Sequence, residues 1–201
     1  MQILKESVRD RIQGSAVRLF AKRGFRDTSM RMIAKEAGIT AGNIYRYFDT
    51  KEQILDGAVA PLIQHVENLI SDHEHEVSAA DPDAPKLYHE LIAVSIVDIY
   101  QRYRQEYTIL LRMAAGTAYE GYHSTLVSQI ADKMRYFCTQ HQGPGPFRNP
   151  EIYEILAQNH VSAIIFALEN VQDPARKQQV IREYLDLQFM LIQDPQKAGD
   201  N

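Results

Sequence analysis

Side chains that could bind nucleic acid are concentrated in residues 28–51, TSMRMIAKEAGITAGNIYRYFDTK. At base edges in a major groove, Asn43 can form two hydrogen bonds with adenine and Arg46 can form two with guanine. Phosphate can be reached by three further side chains of the segment: Tyr45, Tyr47 and Lys51. This combination of residue types favours a DNA-reading surface.

The same segment is predicted to fold as two short helices joined by a tight turn. Ser29 can cap the first helix, and Gly38 can end it because glycine tolerates the left-handed backbone of a sharp turn. Thr40 can cap the second helix, in which Ile44 and Phe48 lie four residues apart and should face the core. The other sides of that helix begin with small residues and continue with amide, aromatic and basic ones: Ala41, Gly42, Asn43, Tyr45, Arg46 and Tyr47. A simple packing corner between two short helices would show the same caps and glycine turn.

Charge divides the chain into a basic N-terminal part and an acidic remainder. Residues 1–51 contain 11 Lys and Arg against 5 Asp and Glu, a net charge of +6, whereas residues 52–201 carry −10. A basic module on an acidic body is typical of a protein that binds nucleic acid with one part only. The charge distribution therefore favours the DNA-reading interpretation over the packing corner.

Residues 12–55 resemble the DNA-binding domain of the TetR family of bacterial transcriptional regulators. The run IYRYFDTKE, residues 44–52, is the most specific part, and Tyr47 departs from the histidine that the family often has there. The matching positions are Ala16, Leu19, Phe20, Gly24, Phe25, Thr28, Ile33, Ala34, Ala37, Gly38, Gly42, Ile44, Tyr45, Phe48, Lys51, Glu52 and Leu55. The resemblance implies a three-helix domain with DNA contacts from Ser29, Arg31, Thr40, Ala41, Gly42, Asn43, Tyr45, Arg46, Tyr47 and Lys51.

Helical periodicity continues on both sides of this segment. An amphipathic helix is predicted over residues 5–23. A capping box at Thr50–Gln53 should start a long helix that runs to about residue 77, with a kink at Pro61. A break at residues 81–85 precedes a helix whose apolar residues, from Leu87 to Ile99, cover much of its circumference. We expect that helix to be buried on most sides.

A small-molecule cavity is the second functional feature that the sequence suggests. Tyr100, Tyr103 and Tyr107 would align on one face if the helix that carries them is continuous, and aromatic groups with a few hydroxyls are typical of sites between helices. Single tyrosines at the edge of a core, with their hydroxyls in water, would give the same pattern. The candidate lining residues are Ile96, Tyr100, Tyr103, Tyr107, Leu110, Met113, Tyr122, His123, Ile130, Phe137 and Phe166. The expected effector is an apolar or aromatic small molecule.

The last two helices are predicted over about residues 150–171 and 174–193, because Asn149-Pro150 and Asp173-Pro174 are typical helix starts. Each helix carries more apolar residues than one contact within the chain requires, which suggests a second partner. In TetR-like proteins these helices pair with their copies across a twofold axis, so the resemblance implies a homodimer. The candidate interface residues are Leu156, His160, Ile164, Leu168, Tyr184, Leu187 and Leu191.

Several other classes of protein are disfavoured by the sequence. Cys138 is the only cysteine, which excludes an intrachain disulfide and suits a reducing cytosol. The N-terminus becomes charged within five residues, unlike a signal peptide, and no segment has the roughly 20 apolar residues of a membrane span. These features disfavour a secreted or membrane-inserted protein. The sequence has no phosphate loop, nucleophile motif or HExxH pair, and His73 and His75 should lie on different sides of a helix. We therefore expect no enzyme, no cofactor and no metal site.

The sequence predicts an all-α cytoplasmic protein of about nine helices. A helix-turn-helix DNA-binding domain is expected at residues 1–50, a larger helical ligand-binding and dimerisation domain at 51–195, and a frayed tail at 196–201. The expected function is transcriptional repression, in which a homodimer occupies a palindromic operator of double-stranded DNA and is released by a small molecule. The alternative is a DNA-bound protein-interaction factor of the nucleoid-occlusion type, without a small-molecule ligand.

Overall fold

The structure is a computed structural model of the chain, and it describes residues 2–71, 84–142, 147 and 149–193. Over these ranges the fold is all-α, as predicted, and no strand is present. The helices are α1 (Gln2–Arg23), α2 (Met30–Glu36), α3 (Ala41–Ile44), α4 (Lys51–Ser71), α5 (Ala84–Arg102), α6 (Arg104–Thr108), a π-helix (Ile109–Met113), α7 (Tyr122–Gln142), α8 (Glu151–Asn170) and α9 (Pro174–Gln193).

The chain forms two compact units. The first unit contains Met1–Val66 and Arg102–His123, and the second contains Glu67–Gln101 and Ser124–Asn201. These units do not follow the predicted boundary after residue 50, because the first unit also includes most of α4 and the segment from α6 to the start of α7. The assignment of two functional domains with that boundary stays a prediction.

The core of the first unit is built from the apolar faces of α1, α2 and α4. Ile12, Phe20, Ile33, Ile54 and Val59 are all fully buried, and within each helix the buried positions recur at helical spacing. Removing one such side chain from water contributes about 1.5–3 kcal/mol. This core therefore fixes α2 and α4, the helices that precede and follow the short α3 in the sequence.

Local interactions set the ends of the first three helices. Gly24 and Gly38 have φ values of 85° and 69°, the left-handed conformation predicted for them. Ser29 Oγ and Thr40 Oγ1 each accept a hydrogen bond, at 3.3 Å, from the backbone N–H three residues later. Both predicted helix caps are confirmed.

The capping box at the start of α4 is present in a modified form. Gln53 N–H donates to Thr50 Oγ1 at 3.2 Å, as predicted. In a capping box the Gln53 side chain would also accept from the N–H of Thr50. Here Gln53 Oε1 accepts instead from the N–H of Asp49, one residue earlier, at 3.0 Å. The helix continues through Pro61 as far as Ser71, where the described segment ends.

The helix that follows residue 84 is interrupted. α5 ends at Arg102, and α6 and the π-helix follow after a turn at Tyr103. The condition for aligning three tyrosines on one face is therefore not met: Tyr100 belongs to the second unit, whereas Tyr103 and Tyr107 belong to the first. Gly116, with φ of 80°, follows the π-helix. Residues Ile109–Met113 thus form a π-helical turn.

The second unit has a buried cluster contributed mainly by α7 and α8. Its buried members are Val127, Ala131, Cys138, Tyr153, Ala157 and Val161. Burial raises the pKa of the Cys138 thiol. A buried thiol held in its neutral form behaves as a small core residue.

α5 is joined to α9 within the second unit but is not buried on most sides. His89 Nδ1 lies 2.7 Å from Asp186 Oδ1, and Val97 is fully buried. Leu87 and Leu91 are nevertheless 65% and 52% exposed. The prediction of burial on most sides is wrong at Leu87 and Leu91, which lie one turn apart on a face that the described residues leave exposed.

α8 and α9 begin close to their predicted positions, with one difference. Asp173 Oδ1 accepts from Arg176 N–H at 2.8 Å, so α9 has its predicted cap. At α8 the cap position is occupied by Pro150, and no side chain caps the helix. Asn149 contributes its backbone carbonyl to the N–H of Ile152 at 3.2 Å. The predicted side-chain cap by Asn149 is wrong because the backbone is already helical at Pro150.

Some predictions fall on residues that the structure does not describe. They concern the continuation of α4 to residue 77, the pair His73 and His75, and the tail at 196–201. Among the described residues, no helix is long and apolar enough to cross a membrane. The same ranges contain no group of three or more His, Cys, Asp and Glu side chains that could hold a metal ion.

Candidate nucleic-acid interface

The reading element of the first unit is α3 together with the turn that follows it, residues 41–48. Only Ala41–Ile44 are α-helical, fewer than predicted, and the backbone then closes in tighter turns. Ile44 and Phe48 are buried and anchor the element from inside, as predicted. The remaining side chains of the element are left on its outward side.

The outward side carries the residues predicted to read bases. Ala41, Gly42 and Arg46 are exposed, and Asn43 is half-buried. A β-carbon placed on Gly42 would meet no atom within 4 Å, and its φ is not positive, so the fold does not require glycine at this position. The absent side chain instead leaves room for the backbone to approach a base-pair edge. Tyr45 is also exposed.

Three further predicted DNA contacts, Ser29, Arg31 and Thr40, lie at helix starts. Ser29 and Thr40 are exposed and use their side-chain oxygens as acceptors in the helix caps. A hydroxyl is a donor as well as an acceptor, so each retains an O–H group that can donate to phosphate. Arg31 is exposed in the first turn of α2, and Tyr47 is half-buried at the end of the reading element.

Lys51 has a role that sequence analysis missed. Its Nζ donates to the carbonyl of Phe25 at 2.6 Å and to that of Thr28 at 2.8 Å, and it lies 4.0 Å from the centroid of the Phe25 ring. Two of its three N–H donors are therefore used within the protein, which leaves one for the predicted phosphate contact. Lys51 ties the start of α4 to the loop between α1 and α2.

The same loop is also held by the segment that follows α5. The N–H of Phe25 donates to the carbonyl of Met113 at 3.2 Å, and Met113 is the last residue of the π-helix. The hydroxyl of Tyr119 donates to Asp56 Oδ1 at 3.0 Å, and burial together with this carboxylate raises the pKa of Tyr119. A displacement of this segment would therefore move the loop that precedes α2.

The predicted ligand-lining residues are divided between the two units. The first unit contains Tyr103, Tyr107, Leu110, Met113, Tyr122 and His123. The second contains Ile96, Tyr100, Ile130, Phe137 and Phe166. Phe166 is 64% exposed on α8, which does not suit the wall of an enclosed cavity in one chain. The lining role of the other residues stays a prediction.

One cavity of the second unit has a different lining. Its volume is about 400 Å³, and its walls come from the end of α4 and from α7. The lining residues are Glu67, Ile70, Ser71, Gln129, Asp132, Lys133 and Tyr136. None of the predicted ligand-lining residues is among them.

The outer faces of α8 and α9 expose large apolar side chains. Ile155 and Phe166 on α8 are 55% and 64% exposed, and Leu187 and Met190 on α9 are 55% and 68% exposed. Leu187 is among the residues predicted at a dimer interface, whereas Ile155 and Met190 are not. Positions 155, 159, 162 and 166 lie along one helical face, but Asn159 and Ser162 are polar, so apolar periodicity does not single out Ile155.

The other predicted interface residues are less available. Leu168 is buried inside the chain, so its assignment to a partner-facing surface is corrected. His160 is hydrogen-bonded to Gln188, and its ring centroid lies 5.8 Å from that of Tyr184, so these side chains join α8 to α9 within the chain. The half-buried residues are Leu156, His160, Ile164 and Tyr184. The side chain of Leu191 lies outside the described residues.

Known proteins share the N-terminal region of this chain. Residues 12–58 match the family model for bacterial regulatory proteins of the tetR family. The HTH-type transcriptional repressor KstR2 of Rhodococcus jostii (strain RHA1) is 44% identical over 52 residues, 26% of each chain. The biofilm operon icaADBC HTH-type negative transcriptional regulator IcaR of Staphylococcus aureus (strain Newman) is 29% identical over 125 residues, 62% of each chain. The matched segments thus span less than two thirds of these relatives' own length.

A solved structure covers more of the chain. The TetR-family transcriptional regulator from Bordetella parapertussis 12822 aligns with 90% of this chain and 95% of its own, with a TM-score of 0.63. Sequence identity in that alignment is 19%. The likeness therefore shows a shared fold.

Proposed function

This chain belongs to the TetR family of bacterial transcriptional regulators, and we propose that it is a cytoplasmic homodimeric repressor that binds a palindromic operator. The observation that carries the proposal is the two-sided reading element. Ile44 and Phe48 anchor it inward, while Gly42 and Arg46 are exposed on its other side. A base-reading role explains why these outward positions are small or basic although packing makes no use of them.

The homodimer is supported by the outer faces of α8 and α9. A second copy of the chain would remove Ile155, Phe166, Leu187 and Met190 from water, which favours association. Two copies related by a twofold axis place two reading elements on half-sites whose centres lie roughly 34–36 Å apart, or a multiple of that distance. An operator with twofold symmetry follows from this arrangement.

Selection of binding sites from a random duplex library tests the proposed function. We expect enrichment of a palindrome whose half-sites are separated by about one DNA turn or a multiple of it, bound by a dimer. The affinity should fall steeply with salt, because phosphate neutralisation releases counterions. Failure to enrich any sequence, or enrichment of a single half-site bound by a monomer, would contradict the proposal.

We propose further that an apolar or aromatic small molecule releases the operator. The support is the hydrogen bond between Phe25 N–H and Met113 O, because the segment that holds this loop also carries six candidate ligand-lining residues. A ligand that favours one position of the segment would change the population of dimers able to bind DNA. Mass spectrometry of the purified dimer can identify a retained molecule. A retained molecule that leaves operator affinity unchanged would contradict release.

A protein-interaction factor without a small-molecule ligand is the second candidate. The observation that favours it is the exposure of Phe166, a predicted lining residue that does not form the wall of an enclosed cavity within one chain. This alternative predicts that the purified dimer retains no small molecule. It also predicts that small-molecule extracts of the source cells leave operator binding unchanged.

A further inference from the structure

Arg9 lies on the surface of α1, yet its guanidinium is directed at the reading element. Its Nη1 donates to the carbonyl of Tyr47 at 3.1 Å, and its Cζ lies 4.3 Å from the centroid of the Phe48 ring. The two contacted residues are the last two of the reading element. Arg9 therefore bridges 38 residues of sequence to the end of the segment that carries Asn43 and Arg46.

The interaction lies at the C-terminal end of the reading element. Only four residues of the element are α-helical, and the N–H groups of Arg46 and Tyr47 already bond back to Asn43 and Ile44. The last carbonyls of a helical segment have no partner within it, and a positive charge near them is favourable. Arg9 supplies a donor and a positive charge at that end.

The same guanidinium also covers an anchor of the element. Phe48 is buried, and a guanidinium over the face of an aromatic ring is attracted by the ring electrons. The arrangement parallels that of Lys51, which bonds to a carbonyl of Phe25 while lying over its ring. Two basic side chains of the N-terminal region, Arg9 and Lys51, thus form contacts within the protein. Part of the positive charge of this region therefore has a structural role as well as a proposed role in binding phosphate.

We infer that Arg9 is a positioning residue for DNA reading: it fixes the end of the reading element so that Asn43 and Arg46 meet the base edges in one orientation. The inference rests on the proposed DNA-binding function and adds a residue to it. A bond from Arg9 to phosphate would add equally to the affinity for every DNA sequence, whereas positioning of the reading element adds only to the affinity for sequences whose bases are read.

The test compares Arg9→Met with Arg11→Met on the selected palindrome and on a random duplex, over a series of salt concentrations. Arg11 is exposed on the same helix but two residues away, so it faces a different side, and its replacement removes the same charge. We expect Arg9→Met to weaken binding to the palindrome about tenfold more than Arg11→Met does, roughly 1.4 kcal/mol. On the random duplex the two variants should be equal.

Two outcomes would overturn the inference. If Arg9 binds phosphate, Arg9→Met weakens binding to the palindrome and to the random duplex by the same factor. The slope of log affinity against log salt then becomes shallower by about 0.9, the value for one phosphate no longer neutralised. If Arg9 only stabilises the fold, Arg9→Met lowers the melting temperature without changing the ratio of palindrome to random affinity.

Hydrogen exchange of the protein without DNA separates this inference from the proposed function. Removing the Arg9 guanidinium should speed exchange of the Tyr47 and Phe48 amides, and Arg11→Met should leave them unchanged. Equal exchange in the two variants would overturn the positioning role even if the wild-type protein prefers a palindrome. Faster exchange in Arg9→Met would show that Arg9 fixes the end of the reading element, and the comparison of the two duplexes then tests whether this serves DNA reading.

Discussion

Lys51 holds Phe25 in two ways at once: its ammonium lies 2.6 Å from the Phe25 carbonyl oxygen and 4.0 Å from the centroid of the Phe25 ring. The N–H of Phe25 is in turn bonded to Met113. The loop between α1 and α2 is therefore fixed by α4 on one side and by the π-helix on the other. The contacts of this one phenylalanine therefore hold the loop that leads into α2.

Replacing Lys51 with Met should destabilise the first unit as well as weaken DNA binding. Two carbonyls would be left without a charged donor, so we expect the free energy of unfolding to fall by about 1–3 kcal/mol. Urea denaturation measures the change. Lys22→Met, at an exposed position in the last turn of α1, is the control and should stay within about 0.5 kcal/mol of wild type. Equal stability of both variants would show that water replaces the Lys51 ammonium.

Gly42→Ala should separate folding from DNA binding. Alanine fits at this position without a clash and has a higher helix propensity than glycine. The free energy of unfolding should therefore increase by up to about 1 kcal/mol, and the melting temperature should rise. Operator affinity should fall because the added methyl group obstructs close approach to the bases. Thermal melting and fluorescence anisotropy measure the two effects. A variant that binds the operator as well as wild type would place position 42 away from the DNA.

Phe166→Glu should dissociate the homodimer. The substitution places a charge within an apolar surface that a second copy is proposed to cover, and burying an unpaired charge is costly. Analytical ultracentrifugation should show a monomer at concentrations where wild type is a dimer. Leu87→Glu is the matched control, because Leu87 is equally exposed but lies on α5. If Leu87→Glu dissociates the dimer and Phe166→Glu does not, the interface has been assigned to the wrong helices.

Glu106→Gln should change how stability depends on pH. Burial raises the pKa of Glu106 above its ordinary value of 4.5, although a backbone hydrogen bond partly opposes the shift. The folded protein therefore favours the protonated carboxyl, and stability that is present below pH 4.5 is lost as pH rises through the raised value. The Gln variant avoids that loss, so it should exceed wild type in stability at neutral pH but not at about pH 4. Denaturation across pH measures this, with the exposed Glu67→Gln as control.

The predictions that agree with the structure concern interactions within four residues of sequence. The caps at Ser29 and Thr40 and the turn at Gly38 depend on residue type and immediate neighbours, so the sequence determines them. Ile44 and Phe48 were placed inward because helical periodicity identifies which face is apolar. The family resemblance added the function of the outward face.

The features that were missed join residues far apart in the sequence. Periodicity shows which face of a helix is buried but not which element it meets, so it gave no indication that Lys51 bonds to Phe25 or that Arg9 reaches Tyr47. The break at Tyr103 was also missed, since no glycine or proline lies nearby to mark it. The predicted group of ligand-lining tyrosines depended on a continuous helix at that point.

The central claim is that the outward side of the reading element reads bases, and Arg46→Ala tests it most directly. The measurement is the affinity of wild type and variant for the selected palindrome and for palindromes with each base pair changed in turn. The variant should lose about 1–3 kcal/mol of binding to the palindrome and all preference at one base pair of each half-site. An Arg46→Ala protein with wild-type affinity and unchanged preference at every position would contradict the account.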